Sequence, residues 1–308
     1  MEASITFKKV GKTIGGRILL ADLSFGVEKG STFVLLGENG SGKSMVLKLL
    51  VGLVEKNSGA IYIKGQDIVS RSFETKSLCG YMPQVTNLNY ELSIFDNIIL
   101  YGQLHGLSYK EAKNNTLNWI EILKLDSFLN QPISSLSYGI QRKILFARSL
   151  VHDPEVLLLD EPTIGLDPHS RSSLWKIIDK LHHNKTIIFA TQDFTEAERY
   201  SDRIAILHEG NIKMDGQLER LIETTHGLTH YRLVFSKIPP SSFMKELESF
   251  PRVVRPRLKG LELEFYSRER KQFFKVLGLA LEHDLDDLDT SICRLRDLFI
   301  GLTEGGLE

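Results

Sequence analysis

The stretch that decides the fold is Gly37-Glu38-Asn39-Gly40-Ser41-Gly42-Lys43-Ser44. An apolar segment with strand character, Thr32 to Leu36, precedes it, and a helical run without proline or glycine, Met45 to Val51, follows it. Glycines let the backbone turn tightly, so several N–H groups converge on the point that the positive end of the helix faces. A strand, a glycine loop and a helix in this order match G-x-x-x-x-G-K-[ST] and predict a phosphate-binding loop.

Two side chains of this loop have chemistry that suits a nucleoside triphosphate. Lys43 is expected to reach the β- and γ-phosphates, and the Ser44 hydroxyl is expected to ligate Mg²⁺. The alternative is an ordinary Gly/Ser turn in front of a helix. ATP and Mg²⁺ are therefore the predicted ligands, provided that the rest of the chain carries the matching parts.

Composition is that of a globular protein with room for one large and one smaller domain: 308 residues, 42% hydrophobic and 25% charged. The net charge of −1 gives no indication of broad electrostatic binding to nucleic acid or to an anionic membrane. The N-terminus lacks a signal-peptide pattern, and the longest apolar runs, such as Val156 to Leu159, have the length of a strand. We expect another polypeptide to carry any membrane span.

Strands and helices alternate along most of the chain, which predicts an α/β fold with a largely parallel sheet. Short strands are predicted within the first 30 residues, at Ile5 to Phe7 and Leu23 to Val27. Residues 85–150 have helical character, and within them Trp119, Ile122 and Leu123 are predicted to share one buried helix face.

The organisation breaks at residues 223–227. After the break the order strand, helix, strand, strand, helix runs from Tyr231 to His283 and predicts a small α+β domain of ferredoxin-like type. The predicted domains are therefore 1–222, with a helical subdomain at about 85–150, and 223–308.

Two carboxylates follow a strand in the first domain. Asp160, at the carboxyl end of Val156 to Leu159, is placed to hold the Mg²⁺ shell, and Glu161 is placed to polarise a water aimed at the γ-phosphate. The alternative for Glu161 is a solvated carboxylate.

Other short segments occur in a fixed order around this pair. Gln84 and Gln192 each follow a strand, and Asp167 comes shortly after the carboxylates. Ser137 and Gly139 precede a helix and form a second candidate anion site, for which a capped surface helix is the alternative.

In order and spacing, residues 1 to about 220 resemble the nucleotide-binding subunit of an ABC transporter. The loop at 37–44 corresponds to Walker A, Gln84 to the Q-loop and Leu136 to Ile140 to the signature motif. Residues 156–161 correspond to Walker B, followed by the D-loop at Gly165 to Asp167, and Gln192 corresponds to the switch position.

The stretch Gly80 to Gln84 and the tail Asp289 to Thr303 are similar to ATPases that serve type-2 exporters. This further resemblance implies that the exported cargo is selected by a membrane permease, with the ATPase on the inner face of the cell membrane, in the cytoplasm.

The resemblance implies a P-loop NTPase (RecA-like) core with an antiparallel β subdomain and an inserted helical subdomain. It also implies a head-to-tail pair of such subunits, as a homodimer or a heterodimer, in which the signature Ser137 and Gly139 of one close over ATP on the other. The implied residues fall into three roles: the loop at 37–44, Ile14, Ser137, Gly139 and Asp167 for nucleotide, Ser44, Gln84 and Asp160 for metal, and Glu161, Gln84 and Gln192 for catalysis.

Three departures from the family pattern stand out. Ile14 occupies the position at which an aromatic ring usually stacks on adenine, so roughly 0.5–1.5 kcal/mol of stacking is expected to be missing. The signature has Tyr138 in place of glycine and Ile140 in place of glutamine or methionine. Gln192 replaces the switch histidine and can neither carry positive charge nor relay a proton.

These features lead to three hypotheses about function. The main one is an ATP-hydrolysing subunit of an exporter. A second is a slow or non-hydrolysing subunit of a heterodimeric pair, for which Gln192 and Ile14 are the motivation and against which Glu161 argues. A third is a soluble ABC ATPase without a transport role, which would predict tandem cassettes, a long coiled coil or a basic linker, none of which the sequence contains.

Overall fold

The computed structural model describes residues 3–218, 220–221, 229–250, 253–267, 269–292 and 295–303. The chain forms two compact units, Met1–Leu218 and Glu219–Glu308. The predicted break at 223–227, and with it the predicted boundary between 222 and 223, lies outside the described residues.

The first unit contains two sheets. Its strands are β1 (Ala3–Ile14), β2 (Arg17–Glu28), β3 (Thr32–Leu36), β4 (Ser58–Ile63), β5 (Gln66–Asp67), β6 (Cys79–Met82), β7 (Val156–Asp160), β8 (Thr186–Thr191), β9 (Arg203–His208) and β10 (Asn211–Gln217). The larger sheet has the order β10-β9-β3-β8-β7-β6, and the strands from β9 to β6 in that order run parallel. The carboxyl ends of β3, β6, β7 and β8 therefore meet at one edge.

The central strands of this sheet are apolar because both of their faces are covered. Every residue of β3, β7 and β8 is buried, as expected for parallel strands between helical layers. Burial fixes these strands in place, so the loops that leave their carboxyl ends start from rigid positions.

The smaller sheet is antiparallel, with the order β2-β1-β4-β5. Strands β1 and β2 are longer than the short predicted segments, because glycines at 15 and 16 make a tight turn and the two strands pair along their full length. The rings of Phe7, Phe25 and Phe33 stack in a row with centroids 4.4 and 5.2 Å apart, which joins this sheet to β3 of the larger sheet.

The helices of the first unit are α1 (Lys43–Leu50), α2 (Ser72–Ser77), α3 (Ile94–Leu104), α4 (Tyr109–Leu123), α5 (Tyr138–Leu150), α6 (Pro168–Leu181) and α7 (Phe194–Tyr200). Helices α3, α4 and α5 lie in the segment predicted as helical. The prediction for the face of α4 was partly wrong: Leu123 is buried, but Ile122 is 42% exposed. The buried positions are instead Ala112, Thr116, Ile120 and Leu123, which follow one helical stripe.

The described residues of the second unit form β11 (Thr229–Phe235), α8 (Ser241–Glu248), β12 (Val253–Lys259), β13 (Glu262–Ser267), α9 (Arg270–Leu281), β14 (Leu285–Ile292) and α10 (Leu295–Thr303). Its sheet is antiparallel with the order β12-β13-β11-β14, which is the split βαβ arrangement of ferredoxin-like domains. The sequence reading omitted β14, because its run of aspartates disfavours a strand and only pairing with β11 supplies the ladder.

Candidate functional site

The loop between β3 and α1 needs glycine at two positions for different reasons. A Cβ at Gly37 would lie 2.2 Å from the Leu207 carbonyl oxygen, so no side chain fits there. Gly42 has φ +111° and is the N-cap of α1, which has no side-chain cap in the described structure. The first N–H groups of α1 are therefore left for a bound anion.

Lys43 is held inside the loop. Its Nζ donates to the carbonyl oxygens of Gly37 at 2.8 Å and Glu38 at 3.0 Å, and lies 3.7 Å from Glu161 Oε1. The residue is only 5% exposed. The ammonium group is therefore fixed between the loop and the end of β7.

Ser44 and Asp160 meet across the gap between α1 and β7. The Ser44 hydroxyl donates to Asp160 Oδ1 at 2.9 Å, and the Tyr81 hydroxyl donates to Asp160 Oδ2 at 3.5 Å. A hydroxyl and a carboxylate are hard oxygen ligands of the kind that Mg²⁺ prefers, so this pair fits a Mg²⁺ site.

Burial shifts the pKa values of all three ionisable groups at this point. Burial raises the pKa of Glu161 to about 7, although Lys43 opposes the shift. It also raises the pKa of Asp160 above its usual range and lowers the pKa of Lys43. A carboxyl with a pKa near neutrality is suited to take a proton in catalysis.

The backbone of Glu161 adopts a left-handed conformation, with φ +46°, which is unusual for a residue with a side chain. Its N–H donates to the Ala190 carbonyl oxygen at 2.9 Å, which holds this strained residue against β8. Within the described ranges, Glu161 Oε1 and the buried Ser41 hydroxyl have no hydrogen-bond partner. Such unpaired buried polar atoms are typical of a binding site that a ligand completes.

Gln84 and Gln192 each come after the carboxyl end of a strand, β6 and β8, at the same edge of the larger sheet. Gln84 comes two residues after β6 and is partly buried, and its carbonyl oxygen accepts a hydrogen bond from Arg142. Gln192 directly follows β8 and is exposed. The sheet order thus brings both glutamines to the edge that carries Lys43 and Glu161.

The signature segment lies at the start of α5. Ser137 is the N-cap, and its hydroxyl accepts from the Ile140 N–H at 3.4 Å. The Tyr138 ring packs on Gly165 of the D-loop, where a Cβ would lie 2.9 Å from Cε1 of the ring. This contact explains how a large residue is accommodated at the position where the family pattern has glycine.

The Asp167 carboxylate binds backbone groups of its own segment. Its Oδ1 accepts from the N–H groups of His169 and Ser170, each at 3.0 Å, so it caps α6. A hydrogen bond from the Ser170 side chain lowers the pKa of Asp167 most, and the two backbone N–H groups lower it further. The carboxylate helps to fix the D-loop at the start of α6.

An open cleft of about 450 Å³ adjoins the loop. Its walls are the loop residues 38–41, the start of β2 at Arg17, Ile18 and Leu19, and residues 208–210, which end β9 and begin the turn after it. Ile14 ends β1 with 51% exposure and is not among these lining residues. The apolar residues that border the cleft on this side are Ile18 and Leu19.

The sequence reading did not single out two buried charged residues. Arg142 in α5 is 0% exposed and donates to backbone carbonyls at the ends of both β6 and β7. Glu196 in α7 is 5% exposed and accepts from Trp175 Nε1, Thr191 Oγ1 and Thr163 Oγ1. A charged residue within the apolar stripe of its helix is the sequence feature that would have indicated each of them.

Comparison with known proteins shows the family of the chain. Residues 20–164 match the family model described as ABC transporter. Nod factor export ATP-binding protein I of Burkholderia lata is 33% identical over 276 residues, which cover 84% of this chain and 90% of that protein.

Solved structures give the same result. An ATP-binding subunit of an ABC transporter has a TM-score of 0.66 and 27% identity, over 71% of this chain and 92% of that one. A dimeric bacterial ABC transporter cassette has a TM-score of 0.64 and 26% identity, over 70% of this chain and 98% of that one.

The fold and the loop define a P-loop ATPase. More narrowly, the chain belongs to the ATP-binding subunits of ABC transporters. None of the helices that the structure describes combines the length and the apolar character needed to cross a bilayer.

Proposed function

We propose that this chain hydrolyses Mg-ATP to drive export through a separate membrane permease. The observation that carries the proposal is the convergence of Lys43, Ser44, Asp160 and Glu161 at the ends of β3 and β7. Export, as opposed to import, is supported by the relative from Burkholderia lata, which is named as a Nod factor export ATP-binding protein.

In this proposal the loop at 37–44 wraps the phosphates, with Lys43 as the nearest cation. Ser44, Asp160 and Gln84 would hold Mg²⁺, which neutralises phosphate charge and orients the γ-phosphate when bound. Glu161 accepts a proton from the attacking water, since its buried carboxyl has a pKa of about 7 and exchanges protons readily near neutral pH.

The proposal includes a second nucleotide-binding subunit, because Ser137 and Tyr138 of the signature segment are exposed, whereas Lys43 and Glu161 at the chain's own loop site are buried. Ser137 and Gly139 would contact ATP held by the partner. The dimeric assembly of a solved cassette at 26% identity supports this arrangement. With a permease as the membrane partner, the chain would work at the inner face of the cell membrane.

The test uses the purified full-length chain. Lys43→Ala should lose phosphate release from Mg-ATP and bind ATP more weakly by calorimetry, because the phosphates lose their nearest cation. Lys180→Ala, at the exposed end of α6, is the control and should match the wild type. Ordinary turnover by Lys43→Ala would refute the assignment of the loop.

The coupling to a permease needs its own experiment. The reading frames beside the gene should be searched for a six-helix membrane protein, and that protein should be expressed together with the chain. We expect the two to purify together and the ATPase rate to rise relative to the chain alone. An unchanged rate in a stable complex would argue against coupling.

Gln192 favours a second candidate, a slow subunit of a heterodimeric pair. A neutral amide stands where the family pattern has a histidine, so one charge-assisted hydrogen bond is missing. This candidate predicts ATP binding with slow turnover in the purified chain, and faster turnover only when a second, different cassette is added.

A further inference from the structure

Arg142 is the most deeply buried cationic side chain beside the site. It lies one turn into α5 and is 0% exposed. All of its hydrogen-bond partners in the described structure are backbone carbonyls, and none is a carboxylate. A charge buried among carbonyl dipoles is costly to move, because each lost hydrogen bond leaves a desolvated donor.

These carbonyls belong to two separate motifs. Nη1 donates to the oxygens of Pro83 at 2.7 Å and Gln84 at 2.8 Å, immediately after β6. Nη2 donates to the oxygen of Glu161 at 2.8 Å, immediately after β7. The planar guanidinium therefore connects the Q-loop to the residue proposed as the general base.

Two longer hydrogen bonds join the Arg142 guanidinium to the residues on either side of Glu161. Nη2 is 3.4 Å from the Asp160 oxygen, and Nε is 3.4 Å from the Pro162 oxygen. The carbonyls on either side of Glu161 are thus held as well. Since Glu161 is in the left-handed region with φ +46°, its strained backbone depends on such anchors.

The helix that carries Arg142 begins at the signature segment. Ser137 caps α5, and the guanidinium sits five residues later on the buried face of the helix. A rotation or shift of α5 would move the N–H groups of the Arg142 guanidinium and, through their hydrogen bonds, the backbone of both Gln84 and Glu161. A rigid planar group transmits such a displacement better than a flexible one.

We propose that Arg142 is a positioning residue of the ATPase, through which the signature helix α5 sets the backbone of Gln84 and Glu161. The inference rests on the proposed function, in which Glu161 is the general base. Arg142 acts through these residues and does not itself contact the reacting atoms.

The experiment compares Arg142→Lys with Arg148→Lys in the full-length chain. Arg148 lies in the same helix, is 8% exposed and binds Asn87, so its replacement loses a comparable buried guanidinium. Arg142→Lys should lower kcat by about 10–100-fold with little change in the Kd of ATP, because a small misplacement of the base is enough. Arg148→Lys should stay within about threefold of the wild type, an effect well below that of a misplaced catalytic group.

The rate per ATP-binding site separates positioning from plain destabilisation. For each variant, kcat is expressed per site counted by calorimetry, at a temperature well below its unfolding midpoint. A variant that is merely less stable would offer fewer binding sites but turn over normally at each of them, whereas a misplaced base lowers the rate at every site. Equal rates per site for the two variants would overturn the inference.

A second variant keeps the arginine in place in case Arg142→Lys does not fold. Ile140→Gly loosens the first turn of α5, and we expect faster amide hydrogen exchange in both 83–87 and 160–164. Unchanged exchange in 160–164 would overturn the inference. Glu161→Gln is measured alongside: normal turnover by that variant would instead refute the proposed function.

Discussion

Helices α1 and α5 both begin at a segment rich in glycine and serine, yet their first turns differ. The start of α1 is capped by Gly42 without a side-chain hydrogen bond, and Lys43 beside it is 5% exposed. The start of α5 is capped by Ser137, and Tyr138 beside it is 39% exposed. We call the site at α1, where Lys43 is buried in its own chain, the enclosed half. The site at α5, where Tyr138 is exposed as expected of a site that serves a partner, is the outward-facing half.

The largest expected effect tests the enclosed half. Glu161→Gln should slow hydrolysis by about 10²–10⁴-fold, the range for loss of a positioned general base, without preventing ATP binding. Phosphate release under saturating Mg-ATP measures it, with Glu121→Gln on the exposed side of α4 as the control. A rate within a factor of two of the wild type would remove Glu161 from this role.

The next effect tests the outward-facing half. Ser137→Ala should lower hydrolysis by about 10–100-fold, the equivalent of one hydrogen bond to a charged group, while ATP binding to the dilute chain stays unchanged. Ser135→Ala is the matched control, since that hydroxyl donates to the Pro132 carbonyl. A fall in the ATP affinity of the dilute chain would mean that Ser137 serves its own site, and the contrast between the halves would be lost.

Gln192→His should raise the rate by about 5–30-fold. The gain corresponds to roughly 1–2 kcal/mol from a charge-assisted bond to the γ-phosphate. Gln192→Ala should lower the rate, because the amide contact is lost. If neither variant differs from the wild type at saturating Mg-ATP, residue 192 does not act on the phosphate.

The enclosed half should also show a pH dependence. With the pKa of Glu161 at about 7, the ionised fraction falls as pH decreases through that value, so the base is lost on the acid side. We expect kcat to fall about fivefold between pH 7.0 and pH 6.0, with ATP affinity measured at both pH values as the control. A flat profile across this range would contradict the assigned pKa.

The smallest effect is expected from removing the C-terminal unit. Residues 1–222 should bind Mg-ATP with a Kd within about a factor of two of the full chain, a difference of less than 0.5 kcal/mol. The reason is that the loop and both carboxylates lie in the first unit. A fragment that is folded by circular dichroism but does not bind ATP by calorimetry would show that both units contribute to the site.

What could be predicted from the sequence was the part encoded locally. The phosphate loop carries its own turn residues, and the carboxylates are located by the apolar strand in front of them, so both were placed by neighbours in sequence. Ile122 was misjudged because two positions on adjacent parts of a helix surface can differ in exposure, and only the packed neighbours decide which one is buried.

The parts that sequence reading omitted depend on distant partners. The role of Arg142 requires the carbonyls at 83–84 and 160–162 to come together, and that of Glu196 requires Thr163 and Trp175. Strand β14 exists because β11 offers it a ladder of hydrogen bonds. A charge in an apolar stripe indicates that Arg142 and Glu196 are unusual, but the partners of these residues and of β14 cannot be predicted from the local sequence.

The contact between Tyr138 and Gly165 makes two positions of this chain interdependent during evolution. Any side chain at 165 would need the ring to move, since a Cβ there would come within 2.9 Å of it, and the φ of +72° adds a separate cost. Glycine at 138 would lift the first restriction and leave the second. The tolerance of position 165 to mutation is therefore epistatic on residue 138, and the two should be exchanged together when signature segments are grafted between cassettes.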